Sequence, residues 1–200
     1  NNVKKILNSE QKKFNILLGG GDTTYSSKFI ISIATLGNVN KKPVFRKGSS
    51  LHDDIYVTGN IGDSFLGLNV IKKKYNLRKY NSFFKRKFYE PDLPYLLTPH
   101  LFKIASSSID ISDGLAQDLE HLLSHSKFGA YINLDHLPLS FCTQQLVKKN
   151  KIKLKTFFSK GDDYQFLFTS SQKKRKEVLN LSKKLNIKIT RIGQINNSNN

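Results

Sequence analysis

The chain has 200 residues, with 33 Lys+Arg against 15 Asp+Glu and a formal charge of +18. That length suits one large domain or one and a half small ones, and 38% hydrophobic residues with 14 Phe provide for a packed core. A single cysteine, Cys142, excludes an internal disulfide framework and a Cys-rich zinc site. No apolar run reaches the roughly 18–20 residues of a membrane span.

The opening residues, NNVKKILNSEQKKF, lack the apolar centre of a signal peptide. A reducing, cytoplasmic setting away from membranes is expected. The lysines are spread along the chain, so the charge reads as solvated faces and no specific nucleic-acid partner is expected. The sequence contains no methionine, which sets the expectation of a fragment of a longer protein.

In chain order, residues 3–14 read as a helix with Val3, Ile6, Leu7 and Phe14 inward. NILL (15–18) reads as a short buried strand, GGGDTTYSS (19–27) as a glycine-rich loop and KFIISIATLG (28–37) as a strand. NVNKKPVFRKGSS (38–50) has the composition of a linker, and DIYVTG (54–59) that of a strand. Residues 60–75 turn at Gly62 into a helix with Phe65, Leu68 and Ile71 on one face. Residues 76–92 are basic and poorly patterned, and 94–105 read as helical with a break at Pro99.

In SSSIDISDGLAQDLEHLL (106–123), apolar Ile109 and Ile111 alternate with Asp110 and Ser112. Leu115, Leu119 and Leu122 then follow Asp113-Gly114 at helical spacing. A strand stops there and a helix starts. AYINL (130–134) is a strand and about 142–149 a helix. LKTFFSKGDDYQFLFTS (154–170) sets a second acidic loop before a strand over 164–169. Residues 171–185 form an amphipathic helix with Val178, Leu181 and Leu185 inward, 187–195 a closing strand, and 197–200 a flexible tail. Interleaved helices and strands place the fold in the α/β or α+β class.

Three acidic sites stand in glycine- or serine-containing turns: Asp22, Asp110 with Asp113, and Asp162 with Asp163. Carboxylates at strand ends can converge on a hard cation such as Mg²⁺, which takes oxygen ligands together with phosphate oxygens. Nearby glycines let backbone N–H groups approach phosphates. The same residues also fit plain structural roles, Asp113 as a helix N-cap and Asp22 as a turn former. GGGD is neither a Walker A loop nor a dinucleotide fingerprint. His121 and His125, four apart, lack the intervening Glu of a zinc HExxH helix and read as partly exposed helix residues.

The order of LLGGGDTT, PVFRKGSSLHDDIYVTGNIGDSFLGL, SSSIDISDGLAQDLEHL, SKGDDYQFLFT and IGQI resembles the thiamine-monophosphate kinase family. That family lies in the superfamily that includes aminoimidazole ribonucleotide synthetase and selenophosphate synthetase. The resemblance runs over about residues 15–195. It implies the end of an aminoimidazole ribonucleotide synthetase-like N-terminal domain over residues 1–40, then a C-terminal mixed α/β domain over 41–196.

It further implies ATP- and Mg²⁺-dependent phosphorylation of thiamine phosphate to thiamine diphosphate, in a homodimer. By motif match, Asp22, Asp110 and Asp113 are the implied Mg²⁺ ligands. Gly21, Asp22, Arg46 and Ser112 are the implied ATP contacts, and Asp162 the implied contact to thiamine phosphate. No catalytic base is implied. Asp162 stands where the family carries Glu, and Lys160 where it carries Gly. Two competing expectations are a superfamily enzyme acting on another small molecule and an inactive remnant serving as a basic binding module.

Overall fold

The structure is a computed structural model and describes residues 2–39, 41–124 and 126–197. His125 and the end of the expected flexible tail, 198–200, lie outside the described residues. The chain divides into two compact units, Asn1–Asn38 and Val39–Asn200.

The first unit holds helix α1 (Asn2–Phe14). Its end is shaped by Asn15, whose φ of 51° is left-handed, and by Gln11. The Gln11 carbonyl accepts the Ile16 N–H (3.1 Å) and its side chain accepts the Leu18 N–H (2.6 Å). These contacts turn NILL into a helix terminus, not the expected strand. Nor does KFIISIATLG form one: its alternation provides an apolar face, but a strand also needs a hydrogen-bonded neighbour, and Phe29, Ile30, Ile31 and Ile33 are exposed. Val3 and Ile6, expected inward, are exposed as well.

The second unit is built on five strands: β1 (Asp54–Thr58), β2 (Ser107–Asp110), β3 (Gly129–Ile132), β4 (Phe166–Ser170) and β5 (Ile189–Asn196). Their order is β2-β4-β1-β5-β3, and each of these pairings is antiparallel. Antiparallel pairing settles the choice of class as α+β. Each strand runs into the next through crossovers that carry α2 (Asp63–Ile71), α3 (Asn81–Tyr89), α4 (Leu101–Ile104), α5 (Leu115–Leu123), α6 (Phe141–Lys148) and α7 (Arg175–Leu185).

Strand alternation feeds two cores. Ile55, Val57, Ile109 and Leu167 face one, closed by Leu66 and Val70 of α2, Leu115, Leu119 and Leu122 of α5, and Leu146 of α6. Tyr56 and Phe168 face the other and stack at 5.2 Å over Leu97, Leu101, Ile104 and Val178. Burying side chains of this size contributes about 1.5–3 kcal/mol each.

The buried face of α2 is Leu66, Gly67 and Val70, not Phe65, Leu68 and Ile71. Helix α3, which the basic run at 76–92 hid, packs directly on Gly67, where a Cβ would lie 2.1 Å from the Phe84 carbonyl oxygen. Residues 45–49 are not a free linker. They run along the outer side of β2, where Phe45 accepts the Ser108 N–H (3.0 Å) and Ser49 Oγ lies 2.8 Å from Ser107 Oγ. That contact covers a sheet edge that would otherwise be open.

Candidate functional site

The β2–β4 ladder does not stop at the Asp110–Phe166 pair. Ile111 N–H donates to the Gln165 carbonyl (2.8 Å), Tyr164 N–H to Ile111 (2.9 Å) and Asp162 N–H to Ser112 (2.9 Å). The two acidic loops, 110–114 and 159–164, therefore lie backbone against backbone. Asp162 (φ 67°) and Tyr164 (φ 52°) are left-handed, which bends the loop and delays regular β4 to Phe166 instead of the expected residue 164. Gly161 allows the approach: a Cβ there would meet Ser112 O at 2.1 Å. Gly114, at φ 129°, presses on Ser159 and Lys160 from the other side.

Within this junction Asp110 and Ser112 are half-buried and Asp113 is exposed. Asp113 does not cap α5: the N-cap position is Gly114, without a side-chain bond. The turn is instead held by Asp118, whose Oδ2 accepts N–H bonds from Ser112 (3.0 Å), Asp113 (3.1 Å) and Gly114 (3.0 Å). Burial pushes the Asp118 carboxyl above its ordinary pKa, against the pull of those donors. Asp162 is half-buried, while its neighbour Asp163 turns inward and accepts N–H bonds from Gly62 (2.6 Å) and Ser64 (3.3 Å) at the start of α2. Burial raises Asp163 to about 7.

A polar cavity of about 20 Å³ lies beside it, lined by Asp63, Lys87, Asp163 and Gln165 among others. Asp63 accepts from Ser140 Oγ (2.7 Å) and Thr143 Oγ1 (2.6 Å), and burial raises its pKa. At the opposite end of β1, buried Asp54 is clamped by Arg175 (2.6 and 2.8 Å) and Arg191 (3.2 Å). Burial opposes its ionisation, but the guanidiniums prevail and hold its pKa low.

Arg46 is exposed in the segment beside β2. Gly21 and Asp22 belong to the first unit; both are exposed, and Asp22 Oδ1 accepts the Thr23 N–H at 2.7 Å. Among the described residues no three His, Cys, Asp or Glu side chains gather as a metal centre. Asp110 and Asp113 do fit a hard cation by chemistry: both are oxygen donors, and neither is among the carboxylates that form ion pairs. His121 is exposed on α5. No helix among the described residues is long and apolar enough to cross a membrane.

Residues 52–200 match the family described as AIR synthase related protein, C-terminal domain. The chain belongs to this family. Over 194 residues it is 37% identical to the thiamine-monophosphate kinase of Buchnera aphidicola subsp. Schizaphis graminum, covering 96% of this chain and 58% of that protein. The chain thus spans somewhat more than half the length of such relatives. The thiamine-monophosphate kinase structure from Stenotrophomonas maltophilia K279a superposes with a TM-score of 0.69 at 29% identity, covering 78% of this chain and 51% of that one. The solved structure named AaThiL complexed with AMPPCP and TMP gives 0.66 at 28% identity, covering 78% and 48%.

Within this AIR synthase related domain, sequence reasoning found both acidic loops, missed Asp118, and named Asp163 as a candidate carboxylate without its anchoring role. Asp118 carried a signal in its spacing, four residues after Gly114 and so one helical turn inside α5. Asp163 had only its place beside Asp162 to mark it.

Proposed function

We propose that this chain is part of an ATP- and Mg²⁺-dependent thiamine-phosphate kinase. The observation that carries the reading is the backbone pairing of loop 110–114 with loop 159–164, in a chain similar to thiamine-monophosphate kinases. A relative of this fold is described with AMPPCP and TMP bound, which supports ATP and thiamine phosphate as the substrates here.

In the reaction the γ-phosphorus of ATP leaves the β–γ bridging oxygen and bonds to a phosphate oxygen of thiamine phosphate, giving ADP and thiamine diphosphate. The acceptor oxygen is already ionised near neutral pH, so the site needs no base to create the nucleophile. Neither acidic loop contains His or Cys. The work is positioning and charge neutralisation. Asp110 and Asp113 would hold Mg²⁺, which would supply neutralisation of the phosphate charge. Ser112 and Arg46 would contact ATP, and Asp162 thiamine phosphate; Gly21 and Asp22, which the family motif also assigns to nucleotide and metal, belong to the first unit.

Residues 1–40 are read as the end of an N-terminal domain and 41–196 as the C-terminal domain, in a cytoplasmic homodimer. Lys160 and Asp162, standing where the family motif has Gly and Glu, favour a second reading with another small acceptor. The test is chromatography of ATP, Mg²⁺ and a panel of phosphorylated acceptors with the protein from the complete reading frame that carries this chain. Thiamine diphosphate as the dominant product supports the kinase. A different preferred acceptor supports the second reading.

A further inference from the structure

The amides just before a helix have no partner in its i→i−4 ladder and need other acceptors. At α5 the N-cap is Gly114, which has no side chain to offer. Three consecutive N–H groups, of Ser112, Asp113 and Gly114, instead converge on one oxygen of Asp118 at 3.0, 3.1 and 3.0 Å. Asp118 is 1% exposed, so water does not compete for that oxygen. On its carbonyl side the same turn is fastened by the Asp162 N–H on Ser112 O (2.9 Å) and by the close approach of Gly161. The backbone of 112–114 is therefore gripped from both sides, and the exposed Asp113 and half-buried Ser112 are what it presents.

We propose that Asp118 is a positioning residue of the candidate site: by binding the three amides of the 112–114 turn it sets the Asp113 carboxylate and the Ser112 hydroxyl for a magnesium-bound nucleotide. This rests on the kinase reading. It goes beyond it by assigning part of the site's metal and nucleotide affinity to a buried carboxylate that touches neither ligand. Loss of Asp118 frees three adjacent amides at once, and the turn can then follow other paths between Ile111 and Leu115. The carboxylate of Asp113 then samples several positions, and a metal must order it on binding.

The experiment uses Asp118→Ala and Asp118→Asn in the complete reading frame, with two readouts besides activity. Hydrogen exchange reports the amides of 112–114 against those of Leu119 and Leu122 on the same helix. Calorimetric titration reports ATP binding across Mg²⁺ concentration. The expected result for Asp118→Ala is at least tenfold faster exchange at 112–114, with Leu119 and Leu122 still protected. The Mg²⁺ concentration for half-maximal ATP binding is expected to rise at least tenfold. Asp118→Asn, whose amide oxygen can still accept without the charge, should fall between wild type and Asp118→Ala, and it carries the test if Asp118→Ala does not fold.

Wild-type Mg²⁺ dependence in the folded variants, with loss only of melting temperature, would overturn the proposal and leave a purely structural cap. Fast exchange at 112–114 in the wild type would overturn it as well. Failure of the wild type to make thiamine diphosphate would sink the kinase reading by itself, while exchange and Mg²⁺–ATP titration still judge Asp118.

Discussion

Gly161→Ala is the most direct perturbation of the loop pairing. A Cβ at position 161 would lie 2.1 Å from Ser112 O and 2.7 Å from the carbonyl carbons of Ser112 and Asp113. Those are backbone atoms and cannot rotate away, so the loops must part by about 1 Å to restore ordinary contact. Parting them breaks the Asp162–Ser112 and Tyr164–Ile111 hydrogen bonds, a net loss of about 1 kcal/mol each. Residual overpacking adds about 1–3 kcal/mol. The expected destabilisation is about 3–5 kcal/mol in all, read from urea denaturation at pH 7. Gly37→Ala, where an added Cβ meets nothing, should change stability by less than about 0.5 kcal/mol. A Gly161→Ala midpoint that matches the wild type at equal slope would show that the loops are not in backbone contact.

Three further substitutions separate metal binding from fold. Asp110→Asn and Asp113→Asn should each raise the Mg²⁺ concentration needed for half-maximal turnover by at least about tenfold, since each removes a charge from the oxygen donor set. Their melting temperatures should stay near wild type. Asp54→Asn strips a fully buried carboxylate from two guanidiniums that are 46% and 48% exposed. Breaking a buried pair costs about 3–5 kcal/mol, and the half-exposed partners place this loss lower, at about 2–3 kcal/mol.

The low folded pKa of Asp54 gives a contribution present above the ordinary value of 3.8 and lost as pH falls through the folded value. The variant should lack that acid limb in a stability–pH profile. Asp163 has the opposite sign. With burial raising it from 3.8 to about 7, its contribution is present below 3.8 and lost as pH rises towards 7. The deficit of Asp163→Asn should therefore shrink between pH 4 and pH 8 in urea midpoints, with Asp63 supplying a residual slope of the same direction in both proteins.

The second unit was largely legible because its strands alternate and its helices carry stripes. Ile55 and Val57 oppose Tyr56, and Leu115, Leu119 and Leu122 repeat at helical spacing. In the first unit only α1 was legible: KFIISIATLG declares an apolar face, but the neighbour that would make it a strand is not written in those ten residues. Helix α3 was hidden by Lys85, Arg86 and Lys87, although Phe84 and Phe88 lie four apart and both pack on Gly67.

At the candidate site the acidic loops could be read from carboxylates beside glycine, but the direction of each side chain could not. Asp162 and Asp163 are neighbours that point to different environments. Asp118 resembles a charge on a solvated helix face until the fold buries it. The glycines were read as room for phosphate, yet Gly114 and Gly161 give the two loops room for each other.

In the proposed kinase, loops 110–114 and 159–164 form one site for a metal-bound phosphate. Mn²⁺ with ATP, added in place of Mg²⁺ to the isotope-labelled protein of the complete reading frame, tests it through paramagnetic broadening of backbone amide signals. Amides 110–114 and 159–162 should broaden together, at Mn²⁺ concentrations that leave Arg175–Leu185 of α7 sharp. Broadening confined to one loop, or spread over the lysine-rich helices with both loops unaffected, would contradict it.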